Sequence, residues 1–397
     1  MAATFDSDKT DSAKVALMND PRVRSLFSQA LLIAVVAWLV YEMVSNTITN
    51  LERQNIASGF NFLNTTAGFG IIQTMVPYAE DSSYGRAFLV SLLNTILIAA
   101  IGIVLTTMLG FLIGIMRLSK NWVIRSIATV YVEVIRNVPL LLQIFFWYFA
   151  VLRAVPAPRN SLVLLDSFFV NNRGIYLPKP EFAEGSWVVG VAFLVGVVAS
   201  IAVRTWARKR QEATGEQFPI FLTAVGLIIG LPMVVFLASG MPATLSYPEL
   251  KGFNFVGGTV IIPEFTSLLL ALVIYTASFI AEIVRAGILA VSHGQTEAAY
   301  SLGLRPGHTL RLVVIPQAMR VIIPPLTSQY LNLTKNSSLA VAIAYPDLVS
   351  VFAGTVLNQT GQAVEILGMT MAVYLTLSII TSIFMNWYNA RMALVER

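Results

Sequence analysis

Eight apolar runs limit what this chain can fold into more than any other feature. They are Leu26 to Met43, Ala87 to Met116, Ser126 to Leu152, Trp187 to Val203, Pro219 to Leu237, Phe265 to Leu289, Val321 to Ala344 and Ile366 to Trp387. A helix needs about 20 residues to cross a hydrocarbon core. A soluble core cannot hide this much apolar surface. The chain is 56% hydrophobic and 12% charged, whereas a soluble domain carries about 25% charged residues. Lipid offers no partners to backbone polar groups, so spanning runs of this length predict helices. The expected fold class is an all-α membrane protein of about eight transmembrane helices.

The charges predict an orientation. An even number of spans puts both termini on one side. That side collects seventeen Lys and Arg residues, among them Arg117, Lys120, Arg125, Arg204, Arg208, Lys209, Arg210, Arg305, Arg311 and Arg320. The other side collects seven, and Arg136 and Lys335 fall within spans. Cytoplasmic loops are the basic ones, so both termini are expected in the cytoplasm. Residues 1–25 read as a polar cytoplasmic tail. Residues 26–45 read as an uncleaved helix with Trp38 and Tyr41 near its end, as an interfacial belt would have. The stretches Asn46 to Tyr84, Arg153 to Ser186, Gly240 to Pro263 and Tyr345 to Glu365 read as polar loops, with Asp347 at an outer mouth.

Between the sixth and seventh spans lies the polar stretch 294–316. Gln295 to Leu302 has good helix formers. Gly303 suits a C-terminal cap, where a positive φ is cheap only without a Cβ. Pro306 suits the first turn of a second helix, and Pro316 is expected to stop or kink it. The charge count places this stretch on the cytoplasmic side.

Charges inside spans cost several kcal/mol and usually face protein or water. Glu133 and Arg136 share a helical face at i,i+3, and Glu282 and Arg285 repeat that spacing. They are either self-neutralising packing pairs or the lining of a polar cavity, where an amino acid's two opposite charges would fit. Lys335, Asn336 and Ser337, with Asn332, Thr334 and Ser338, put six polar side chains into one span. They are either satisfied between helices or line a cavity or gate. Gly102, Gly110 and Gly114 share a face and predict close helix contact.

Several chemistries are excluded. The chain has no cysteine and only two histidines, His293 and His308. It therefore lacks disulfides, thiolate nucleophiles, metal-ligand spacings and a plausible Ser-His-Asp set. No phosphate-cradling Gly-rich Lys-Ser/Thr motif occurs, so ATP hydrolysis would need another subunit. The net charge of +5 is accounted for by the basic loops and does not suggest nucleic-acid binding.

The segment Glu297-Ala298-Ala299, then Gly303, then Val313-Val314-Ile315-Pro316 resembles the EAA loop of ABC importer permeases. Asn94-Thr95, the stretch from Glu133 through Arg136 and Pro139 to Gln143, the stretch from Glu282 through Arg285 to Pro316, and Arg320 to Leu339 are similar to polar amino acid permeases of the histidine/glutamate/glutamine type. The wording is most like the first permease subunit of general L-amino acid importers. That resemblance implies a type I ABC importer (MetI-like) permease domain over 86–389, with a five-helix core, an extra first helix and an inserted helix pair at 187–239. It implies a cytoplasmic coupling loop at 294–316 in which Glu297, Ala298, Ala299, Gly303 and Pro316 meet a separate ATPase. A second homologous permease, a periplasmic amino-acid-binding protein and no cofactor are the other implications. Relatives that carry cationic amino acids are often acidic where Asn336 stands, so a neutral amide there fits broader selectivity. The rival class is an ion-coupled secondary transporter using Glu133, Glu282 and Lys335, although the inverted repeats such folds commonly show are not found. A structural membrane anchor would have no need of the charged pairs.

Overall fold

The computed structural model describes residues 21–53, 58–183, 185–241 and 243–392. Most of the polar tail read over 1–25 lies outside the described residues. Among them, seven helices are long and apolar enough to cross a membrane, and one bent helix pair makes an eighth.

The first helix, α1 (Pro21–Arg53), runs past its apolar stretch, and no residue of its most apolar window is buried. The core begins with α2 (Tyr84–Met116), whose N-terminus is capped by the Ser83 side chain. Then come α3 (Trp122–Asn137), capped by Asn121, and α4 (Leu140–Phe145), continued by a wide π turn over Phe146–Val151. The sequence predicts one span with a bend at Pro139. The structure breaks it, with α3 and the α4 unit lying at 106°. Pro139 lacks an N–H and disfavours helical geometry at Val138, which is extended at ψ 126°.

Two of the expected polar loops fold into strands that the sequence does not reveal. These are β1 (Leu162–Leu164), β2 (Phe168–Asn171), β3 (Gly174–Leu177) and β4 (Lys179–Phe182), which precede helix α5 (Trp187–Thr214). After α5 the chain returns through α6 (Ile220–Val225), a π turn and α7 (Leu231–Ala238). It then forms β5 (Ala243–Ser246), β6 (Glu249–Lys251), β7 (Asn254–Val256) and β8 (Thr259–Ile261). The sheet order is β1-β2-β3-β8, all antiparallel, with Ile175 opposite Ile261. Strands β4 and β5 pair separately, with Lys179 opposite Ser246. Helices α5 to α7 thus stand on a stem of paired strands. Alternation is weak over strands of three or four residues, so a periodicity search reads them as loop.

Helix α8 (Pro263–Leu289) is the hub, packed against α2, α3 and α4. Leu268, Ala271, Leu272, Ala277, Ile280 and Ala281 are fully buried on it. Gly110 and Gly114 of α2 permit that approach. A Cβ on Gly114 would lie 2.8 Å from the Ala281 carbonyl oxygen and the Val284 Cβ. Small residues at four-residue spacing let two membrane helices touch at their backbones, which confirms the expected packing role of these glycines.

After α8 come α9 (His293–Ser301), α10 (Pro306–Thr309), a π turn over Leu310–Val314 and α11 (Ile315–Asn336). Pro316 was expected to stop or kink the second helix. Instead the helical path continues through it from Pro306 to Ile343, with the π turn immediately before the proline. A wide turn accommodates the missing N–H and the added ring bulk of a proline. The end of α11 tightens into a 3-10 turn, Ser337–Ile343.

The stretch from Tyr345 to Glu365 corrects another expectation. It is a compact helical segment ending in α12 (Leu357–Thr360), with Leu348, Phe352 and Val356 fully buried. These pack with Phe62, Tyr84 and Ala87 at the N-terminal end of α2. The apolar run is too short to span, so composition alone reads it as a loop. The last helix, α13 (Ala363–Met392), packs against α11.

Candidate functional site

Three groups of side chains carry the polar chemistry. The first lies where α2, α3 and α8 meet. Glu282 accepts from Arg117 and from Arg285, the latter at 2.6 Å. Arg117 also lies 3.9 Å from Glu133. Arg136 does not pair with Glu133; its guanidinium sits 5.0 Å from the Phe279 ring centroid. The two i,i+3 pairs seen in the sequence therefore converge on one cluster. Its centre is Arg117, which the sequence assigns to a basic turn and does not single out. Arg117 is the residue that caps α2, and the glycine-mediated contact between α2 and α8 brings it beside Glu282.

The second group is at the end of α11. Thr334 donates to the Tyr330 carbonyl (3.0 Å), Ser337 to the Thr334 carbonyl (2.8 Å) and Ser338 to the Lys335 carbonyl (2.7 Å). Their hydroxyls are thus satisfied within their own helix. Ser337 is buried, Asn336 half-buried and Lys335 exposed. Lys335 forms no ion pair with another described residue.

A buried carboxylate lies next to this group. Asp347 is completely buried, and its neighbours Pro346 and Ser350 line a hollow. It accepts from the Ser350 N–H (2.8 Å) and the Tyr374 hydroxyl (3.3 Å). Burial pushes its carboxyl up to about 7 against the pull of these donors. Asn94 donates to the Gln73 and Pro346 carbonyls, both at 2.9 Å, and the Thr95 hydroxyl accepts from the Leu348 N–H at 3.0 Å. Asn94 and Thr95 thus tie α2 to the turn that carries Asp347. An acid between Pro346 and an apolar run was the signal available in the sequence.

The third group is the loop after α8. Gly303 has φ +77°. Its N–H donates to the Tyr300 carbonyl (2.9 Å), and the Leu304 N–H donates to the Ala299 carbonyl (3.1 Å). This double closure is the Schellman arrangement, which needs a left-handed residue at the glycine position. Glu297, Ala298 and Gly303 are exposed, and Ala299 is buried. Leu302 is 82% exposed beside the turn. The arrangement is a short helix with an open face and an apolar knob, lying between α8 and α11 in the chain. Pro316 lies at the start of α11, half-buried, behind this face.

Among the described residues no group of three or more His, Asp or Glu is placed to hold a metal ion.

Residues 106–394 match the family of the binding-protein-dependent transport system inner membrane component. The chain belongs to this family. The match starts inside α2 and takes in all three polar groups except Asn94 and Thr95. Individual relatives of this family align over almost the whole chain. The general L-amino acid transport system permease protein AapQ of Rhizobium johnstonii is 57% identical, covering 96% of this chain and 95% of its own. The putative amino-acid ABC transporter permease protein YhdX of Escherichia coli is 52% identical over 95% and 96%. The glutamate/glutamine/aspartate/asparagine transport system permease protein BztB of Rhodobacter capsulatus is 42% identical over the full length of both chains. Helix α1 and the hairpin of α5 to α7 fall within the full-length match to BztB.

Proposed function

We propose that this chain is a permease subunit of an ATP-driven, binding-protein-dependent importer that carries L-amino acids across the bacterial inner membrane. The observation that carries this reading is the 57% identity to AapQ over nearly the whole of both chains. The geometry supports it. The helix bearing Glu297 and Ala298 is open for a partner, at the end of α8 opposite the strands. A cytoplasmic ATPase takes this helix into a groove. Glu297, Ala298 and Gly303 provide the contact and the turn, while Ala299 and Pro316 hold the loop to the core. The motion of the ATPase pair then reaches α8 and α11 directly. Coupling extends as far as the ATPase prefers one permease state over another.

In this reading both termini are cytoplasmic, a periplasmic amino-acid-binding protein delivers substrate to the strand-bearing side, and a second, homologous permease completes the pathway. Lys335, Asn336 and Ser337 stand on the pathway side of the permease domain over 86–389. The cation of Lys335 is exposed on the single chain, and facing a partner or a water-filled path avoids the cost of facing lipid. Glu133, Arg136, Glu282 and Arg285 border the same path at its cytoplasmic end. Glu282 already accepts from two arginines, which speaks for a structural charge cluster there and against an ion-coupled carboxylate.

Co-expression with an ATPase subunit and purification tests the reading. Unaltered protein should copurify with the ATPase and support ATP-driven L-amino acid uptake in vesicles. Gly303→Leu should lower both about tenfold or more, because a side chain at φ +77° is strained. Retention of full assembly and uptake by that variant overturns the loop assignment. Uptake driven by an ion gradient without any ATPase overturns the importer class.

A further inference from the structure

Two hollows meet at the strand-bearing end of α8. The first, about 330 Å³, is lined by Tyr148, Asn172, Arg173 and Glu264, with Ile72 and Ile262 as apolar walls. The second, about 280 Å³, shares Ile72, Ile262 and Glu264 and continues to Pro346 and Ser350. Ligand clefts run from roughly 300 to 1,000 Å³, so the first hollow is at the small end and the second just below it.

Arg173 and Glu264 border the first hollow with opposite charges, yet neither forms an ion pair with another described residue. The Arg173 backbone N–H is held by the Asn171 side chain at 2.9 Å, and its guanidinium donates to the Phe253 carbonyl at 3.3 Å. A guanidinium has five N–H donors, so a fork for a carboxylate stays open. Glu264 receives the Tyr148 hydroxyl on one oxygen at 2.8 Å, which fixes the group and leaves its other oxygen for a cation. Simple accounts exist for each residue alone. A carboxylate is favoured in the first turn of a helix, and an arginine near a hairpin tip is commonly solvated. Neither account explains opposite charges on one small cavity without a pair between them.

We infer that the Arg173–Glu264 hollow is an outer transit site for a zwitterionic α-amino acid, with Arg173 taking the carboxylate and Glu264 the ammonium. This rests on the amino acid import reading above. The second hollow then takes the side chain. It carries no charged residue besides Glu264, and its walls mix aliphatic carbons of Ile71 and Val351 with the Ser350 and Thr355 hydroxyls. Such a site holds the backbone common to all amino acids and discriminates weakly among side chains. Asn172 and Arg173 lie between β2 and β3, so the strands leading to the inserted hairpin supply the cation to the site.

The chain has no native cysteine, so a single engineered thiol reports on it cleanly. Ile72 is 83% exposed and borders both hollows. In the assembled transporter, Ile72→Cys is labelled from outside with a membrane-impermeant maleimide, with Asn172→Cys as a second reporter. L-glutamine at about 10 mM, above the millimolar dissociation constant of a weak site, should slow labelling about tenfold. L-glutaminamide, with its carboxylate blocked, and the deaminated analogue should not. Adding Arg173→Gln or Glu264→Gln to the reporter should abolish protection while labelling without ligand continues. Unchanged labelling with L-glutamine at both reporters, or protection that survives both substitutions, overturns the site. ATP-driven L-glutamine uptake by the unmodified transporter is measured in parallel. Uptake without protection removes the transit site alone, and absence of uptake removes the import reading on which it rests.

Discussion

The Gln143 side-chain amide donates to the carbonyl of Ile135 at 3.0 Å. That carbonyl is four residues before Pro139, which has no N–H to give it. The same amide also reaches the Val138 carbonyl at 3.0 Å. One buried glutamine thus serves both acceptors where the span breaks, and the Val138 N–H adds a longer contact of 3.4 Å to the Ile135 carbonyl. In a membrane no solvent stands ready to do so.

Replacing Gln143 with Leu should strip the Val138 carbonyl of its donor and leave the Ile135 carbonyl only the Val138 N–H at 3.4 Å. Each buried unpaired acceptor costs about 1–3 kcal/mol, so thermal unfolding of the purified transporter should shift to lower temperature. Pro139→Ala returns an N–H to the chain. The double variant should therefore lose less than the sum of the two single losses, and thermal unfolding of all three variants measures the coupling.

Gly114 offers a steric test of the hub. A Cβ there would come 2.8 Å from the Ala281 carbonyl oxygen, so Gly114→Ala should force α2 and α8 apart. Overpacking of this kind costs about 1–3 kcal/mol, and the separation would also loosen Arg117 from Glu282. Folded yield and thermal stability should fall. Gly190 in α5 is the control, since a Cβ there meets nothing within 4 Å. Gly190→Ala should be neutral or stabilising by about 0.5–1 kcal/mol.

Asp347 makes stability depend on pH. Its folded carboxyl titrates at about 7, above the ordinary 3.8. Over that window the folded chain holds a proton that the unfolded chain has released. Rising pH therefore removes stability, by at most about 1.4 kcal/mol per unit. Thermal stability should increase from pH 8 to pH 6. Asp347→Asn should flatten this slope, and an equal slope in the variant would assign the dependence to other groups.

Legibility in the sequence differed by element. The runs containing α2, α8, α11 and α13 were evident because a span must be apolar over its whole length. Gly303 was equally evident, since the cap it forms has few chemical solutions. The break at Pro139 was visible as a proline, but its 106° angle was not. Strands of three and four residues left too little pattern, and the buried segment near Phe352 was too short to register as a span.

The sequence by itself determined the membrane class, the main helices, the glycine turn after α8 and the lack of a nucleotide-binding motif. Each follows from local composition or from the geometry of a few consecutive residues. Only the tertiary structure decided that Glu282 meets Arg117, that Arg136 turns to Phe279, that Asp347 is buried, and that Arg173 shares a hollow with Glu264. These relations join residues far apart in the chain. They depend on how closely α2, α8 and the strand stem approach, which packing sets and local pattern does not encode.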